Sequence, residues 1–153
     1  MNDLPAFQLQ NFTPYRVALA AQLLSEKLAS RYRRQFGITI PEWRVLVHLV
    51  AGDGASVRDI ENAVAMEKSK VSRTVTRLHD RGLLTKRAHP GDKRLVHLSL
   101  TDKGRDIMTR LLPVATEFQA ELVGRLGHDF DDFAALLEKL IASFDEAENP
   151  DNE

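Results

Sequence analysis

The chain contains no cysteine. Disulfides, thiolate nucleophiles, thiol redox sensors and cysteine-bound metals are therefore excluded together. No apolar run approaches the roughly 20 residues that a membrane helix needs, so no membrane partner is expected. Residues Met1 to Gln10 have neither a basic start nor an apolar core, so no secretory signal is expected. These absences are compatible with a cytoplasmic protein. Catalytic signatures are missing too: there is no nucleophile elbow, no phosphate-binding glycine loop and no paired catalytic motif. Asp131 and Asp132 are adjacent, so on a helix they point apart, near an N-terminus that favours acids. The five histidines are scattered, with no pair at i, i+4, the spacing that brings two ligands onto one helix face. No enzyme, no cofactor and no metal site are expected.

An excess of one charge sign is also lacking, since the net charge is −1 over 153 residues. The distribution is uneven, however. Residues 67–97 carry nine basic side chains against three acids, a net of +6. Residues 129–153 carry nine acids against Lys139 alone, a net of −8. A neutral chain with one concentrated basic segment suggests a local anion-binding face.

The remaining pattern is mostly helical. Thr13-Pro14 reads as an N-cap and first helical position. Ala20, Leu24, Leu28, Tyr32 and Phe36 follow as one stripe, which Gly37 ends. A second helix begins near Pro41 and carries Trp43, Leu46, Val47 and Val50. Ser56 opens a short third helix, with Asp59 completing a capping box and Val57, Ile60 and Val64 facing inward. A fourth helix is expected from about Glu67 to Arg81, with Val71, Val75 and Leu78 as its buried edge. At about 100° per residue, its opposite face carries Ser69, Arg73, Thr76 and Asp80, with Lys70, Ser72 and Arg77 on the shoulders. A small, polar, basic face of this kind suits a major groove, where bulk clashes and donors read base edges. Residues 84–100 read as a β-hairpin with a type II turn at Pro90-Gly91 and with Asp92, Lys93 and Arg94 at its tip. An exposed arginine there can reach a minor groove. Thr101 caps a long helix with the stripe Ile107, Leu111, Val114, Phe118 and Leu122, and a kink is expected near Pro113. Gly127 precedes a last helix, from about Asp129 to Ala147, lined by Phe133, Leu137, Leu140 and Phe144.

This order of elements resembles the MarR family of bacterial winged helix-turn-helix transcriptional regulators. Three motifs carry the resemblance: Met66-Glu67-Lys68-Ser69-Lys70-Val71-Ser72-Arg73, the wing tip Asp92-Lys93-Arg94, and Leu100-Thr101-Asp102-Lys103-Gly104. The fold implied is mainly α with a small β-hairpin wing, a winged helix-turn-helix lobe on a helical dimerisation base. Residues 1–37 and 101–148 would form the dimerisation region, 38–100 the DNA-binding lobe and 149–153 an acidic tail. The resemblance implies a homodimer on a pseudo-palindromic site in double-stranded DNA, acting as a repressor that a small aromatic or phenolic acid releases. Ser69, Lys70, Arg73 and Thr76 are the candidates for base edges, and Lys68, Ser72 and Arg77 for phosphates. Arg94 is the candidate for the minor groove, oriented by Asp92, which would hold the wing tip through an ion pair with Arg81. Arg16 and His48 are candidates to hold an effector carboxylate between the apolar walls of Trp43 and Phe118. Two alternatives remain at this stage: a metal-responsive regulator of the same fold, and a winged-helix protein-interaction module that binds no DNA.

Overall fold

The computed structural model describes residues 4–52, 54–89 and 91–145. Helices dominate, joined by one small sheet. The order is a 3-10 turn at Leu9–Asn11, α1 (Thr13–Phe36), α2 (Ile40–Val50), β1 (Ala55–Ser56), α3 (Val57–Ala63), α4 (Lys68–Asp80), β2 (Leu84–Ala88), β3 (Val96–Leu100), α5 (Asp102–Leu126), a second 3-10 turn at Gly127–Asp129 and α6 (Phe130–Asp145). The three strands form an antiparallel sheet in the order β1-β3-β2. Two compact units divide between Ala115 and Thr116, inside α5. The first 14 residues of α5, 102–115, thus belong to the unit that holds α1 to α4 and the sheet.

Local chemistry sets most boundaries. α1 begins one residue earlier than the sequence pattern suggested: Phe12 is its N-cap, so Thr13 is already helical and makes no capping bond. Gly37 ends it in the left-handed region, at φ 63°, where a side chain would be strained. α2 starts from a capping box that the sequence reading did not assign. The Thr39 side chain accepts the Glu42 N–H, and the Glu42 carboxylate accepts the Thr39 N–H. Ser56 and Asp59 form the expected box on α3. Thr101 accepts the Gly104 N–H at 3.0 Å and donates to the Gly82 carbonyl at 2.6 Å, so it caps α5 and ties it to the end of α4.

One core holds the first unit. Tyr32, Ile38, Val45, Leu46, Leu49, Ile60, Val71, Val75, Leu78, Leu83, Leu84, Leu98, Leu100, Met108 and Leu111 are buried there. On α2 the buried edge is Val45, Leu46 and Leu49, whereas the expected Val50 is exposed. Gly104 explains the glycine of the Leu-Thr-x-x-Gly motif. A Cβ at that position would collide with the Leu83 carbonyl, so only glycine lets α5 approach β2 this closely. α5 continues as a helix through Pro113. In the second unit, Phe133, Leu137, Leu140 and Phe144 of α6 are all exposed. Pro90 of the expected turn and the tail 149–153 lie outside the described residues.

Candidate nucleic-acid interface

α4 turns Val71, Thr74, Val75 and Leu78 into the core and leaves the other side open. Lys68, Ser69, Lys70, Ser72, Arg73, Thr76 and Arg77 are all exposed. Among the described residues, the side chains of Lys68, Ser69, Lys70, Ser72 and Arg73 make no hydrogen bond or ion pair. Two neighbours are partly committed. The Thr76 hydroxyl donates to the Ser72 carbonyl at 3.0 Å and lies 3.5 Å from Lys86 Nζ. The Arg77 guanidinium lies 3.4 Å from Thr74 Oγ1 and 3.9 Å from Glu42 Oε1, with 55% of its side chain exposed. The face therefore presents cations and hydroxyls that folding leaves unsatisfied, the inventory that phosphate and base-edge contacts use.

The wing places its arginine by a local fork. Arg94 donates through Nε to Asp92 Oδ1 at 3.1 Å, through Nη2 to Oδ2 at 3.2 Å and through its backbone N–H to Oδ1 at 3.0 Å. The Arg94 side chain is otherwise open, at 90% exposure. Arg94's bonds hold the Asp92 carboxyl below the usual carboxylate range, with smaller help from the charges of His89 and Arg58. The proposed orienting role of Asp92 thus has its geometry. The suggested Arg81 partner does not: Arg81 instead reaches Glu42 at 3.1 Å and the Gly37 carbonyl at 3.1 Å. A groove of about 350 Å³ runs between α3, α4 and the wing, with Arg58, Glu61, Ser72, Lys86 and Arg94 on its walls. Ser72, on the shoulder of the helix face, and the wing arginine thus line one groove.

Glu42 is the residue that sequence reasoning missed. It is 4% exposed, the one buried Asp, Glu, Lys, Arg or His among the described residues, and its signal was the Thr39-x-x-Glu42 spacing. The effector candidates are more dispersed. Trp43 packs on Tyr32 at 5.0 Å between ring centroids. His48 shares an open groove of about 430 Å³ with Arg44, Val47 and Ala63 to Ala65. Arg16 is exposed on α1, and Phe118 lies on α5 in the second unit. Trp43 does not line the His48 groove. The buried Tyr32 hydroxyl has no partner among the described residues, and desolvation pushes its pKa up to about 12. The fold brings His89 and His97 within 5.9 Å, but no cluster of three metal-ligating groups occurs among the described residues. Among those residues no helix is long and apolar enough to cross a membrane.

Comparison with known proteins agrees with this geometry. Residues 36–95, from the last residue of α1 to the residue before β3, match the MarR family. The transcriptional repressor MprA of Escherichia coli K12 is 25% identical over 144 residues, covering 88% of this chain and 82% of that protein. The crystal structure of a MarR/EmrR family transcriptional regulator from Acinetobacter sp. ADP1 is similar at a TM-score of 0.81 and 26% identity, covering 92% of this chain and 99% of that one. The PcaV transcriptional regulator of Streptomyces coelicolor, solved in complex with its natural ligand, is similar at a TM-score of 0.73 and 27% identity, covering 92% and 98%. An open basic helix, a forked wing arginine and a glycine-dependent junction behind them converge with these likenesses: residues 36–95 match the MarR family, and the chain is similar over most of its length to a MarR/EmrR family transcriptional regulator.

Proposed function

We propose that this regulator is a homodimeric, cytoplasmic repressor that grips a pseudo-palindromic operator and lets go when a small aromatic or phenolic acid binds. The observation that carries the reading is the exposed α4 face, whose Ser69, Lys70 and Arg73 side chains lack partners among the described residues and whose shoulder residue Ser72 lines a groove with Arg94. Ser69, Lys70, Arg73 and Thr76 read base edges; Lys68, Ser72 and Arg77 hold phosphates; Arg94, steadied by Asp92, enters the minor groove. Residues 38–100 form the DNA-binding lobe, and 1–37 with 101–148 the dimerisation region. Exposed apolar side chains on α1 (Val17, Leu19, Leu23) and, separately, on α6 (Leu136, Ile141, Phe144) support partner contacts at each helix, since exposed apolar surface marks interaction sites.

For the effector, Arg16 and His48 of the first unit supply positive or donor groups and Trp43 an apolar surface, the mixture that small-molecule sites use, and Phe118 of the second unit is a further apolar candidate. PcaV, which has a natural ligand of its own, supports a ligand-responsive reading. The test is a thermal-shift and DNA-release screen of hydroxybenzoates, hydroxycinnamates and their thioesters on the full chain. At least one is expected to raise the melting temperature and release operator DNA, with Arg16→Ala weakening both. Absence of stabilisation and release across the series would contradict the effector reading and leave DNA binding untouched.

A further inference from the structure

Arg81, the residue that closes α4, is a meeting point of four helices. Its Nη1 donates to the carbonyl of Gly37, at the end of α1, and to Glu42 Oε2, in the first turn of α2, each at 3.1 Å. Its own carbonyl accepts a hydrogen bond from Lys103 Nζ of α5 at 3.0 Å. Glu42 Oε2 also accepts the Thr39 N–H at 3.1 Å, and Oε1 lies 3.9 Å from Arg77 Nε. A carboxylate taken out of water must keep its cationic partner, because an uncompensated buried charge is costly. α4 therefore cannot turn about its axis, or slide, without stranding Glu42.

The constraint bears on DNA through spacing. Arg73, Arg77 and Arg81 follow at four-residue intervals, neighbours along one side of the helix. The far end of that ridge is the proposed base reader. The near end is pinned to Glu42. A small swing at the pinned end moves the Arg73 guanidinium relative to a base edge, and bidentate contact with guanine tolerates little misplacement. Neither Glu42 nor Arg81 needs to touch a phosphate for this to matter.

We infer that Glu42 and Arg81 are positioning residues that set the angle of the recognition helix against α1, α2 and α5, and thereby the protein's base discrimination rather than its general affinity for DNA. This rests on α4 being the reading helix. Arg81→Lys is the deciding variant, because lysine keeps the charge near Glu42 but is one bond shorter, so its ammonium cannot take the place from which Nη1 holds Glu42 and Gly37 together. The full chain would be titrated by fluorescence anisotropy, across a salt series, with its best-bound duplex from random-sequence selection and with a scrambled duplex.

Arg81→Lys is expected to reduce the ratio of selected to scrambled affinity about tenfold, leaving scrambled affinity and the salt slope as in the parent. Glu42→Gln, which keeps the capping acceptor, is expected to act in the same direction. A ratio unchanged in Arg81→Lys would overturn the inference, as would parallel loss on both duplexes, the mark of a residue that holds phosphate rather than positions the reading helix. Arg73→Ala separates the two levels. If it lowers the ratio while Arg81→Lys does not, only the positioning role fails; if Arg73→Ala has no effect, the reading-helix assignment fails and the inference with it.

Discussion

At the scale of single residues, the interface divides into side chains that folding uses and side chains it leaves free. Arg73 and Arg94 carry the same charge but stand in different surroundings. Arg73 projects from a helix with no partner among the described residues, whereas Arg94 is held by Asp92 with its side chain otherwise open. Their alanine variants should therefore differ. Arg94→Ala is expected to weaken all duplexes and lower the salt slope by about one unit. Arg73→Ala is expected to flatten preference at one base position, at a cost of roughly 1–3 kcal/mol for the favoured base. Titrations of matched and scrambled duplexes across salt distinguish the two; identical behaviour would contradict the division. Acid offers a second residue-scale test. The Ser56 hydrogen bonds hold Asp59 below the usual carboxylate range, and those of Arg94 do so for Asp92. A depressed carboxyl stabilises the fold above its unfolded pKa of about 4 and stops doing so as pH falls through its lower folded value. Asp59→Asn should thus melt below the parent at neutral pH and converge with it in strong acid, as followed by circular dichroism. A constant gap down to low pH would contradict the linkage.

At the scale of elements, the helices were legible because their signals are local. Ser56 with Asp59 and the stop at Gly37 were read from neighbouring residues and are found as read, as is the Thr101 cap. The inward edge of α4, Val71, Val75 and Leu78, was read from periodicity, while Thr74 on the same edge was not, because its hydroxyl looks polar until it bonds the Lys70 carbonyl at 2.7 Å. What escaped depends on distant chain. β1 is two residues long and exists only because Ala55 and Ser56 pair with Leu98 and His97. The attachment of Arg81 to Glu42 spans 39 residues, and nothing near Asp92 could have revealed it. The free face of α4 was legible as a pattern, but that Lys68, Lys70 and Arg73 lack internal partners among the described residues, while Arg77 lies near Glu42, is a fact of packing. The junction of α5 with the wing gives the element-scale prediction. Gly104→Ala would drive a methyl group into the Leu83 carbonyl, so the helix must shift outward. A loss of about 1–3 kcal/mol is expected by urea denaturation, the usual range for forcing extra volume into a packed site. Unchanged stability would mean that α5 does not need its close approach to β2.

At the scale of the whole molecule, the account depends on symmetry. One α4 and one wing cover a short stretch of duplex, and discrimination over a genome requires more base pairs than one lobe can read. The exposed apolar side chains of α1 and α6 and the local +6 charge of residues 67–97 suit a protein that presents two such lobes to one DNA. The most direct measurement is selection of bound sequences from random duplex DNA with the full chain. The account predicts an enriched pseudo-palindrome with half-sites about one helical turn, roughly 10 base pairs, apart, whose information is lost at a symmetric pair of positions in Arg73→Ala. Enrichment of a single unrepeated half-site, or no enrichment at all, would contradict it.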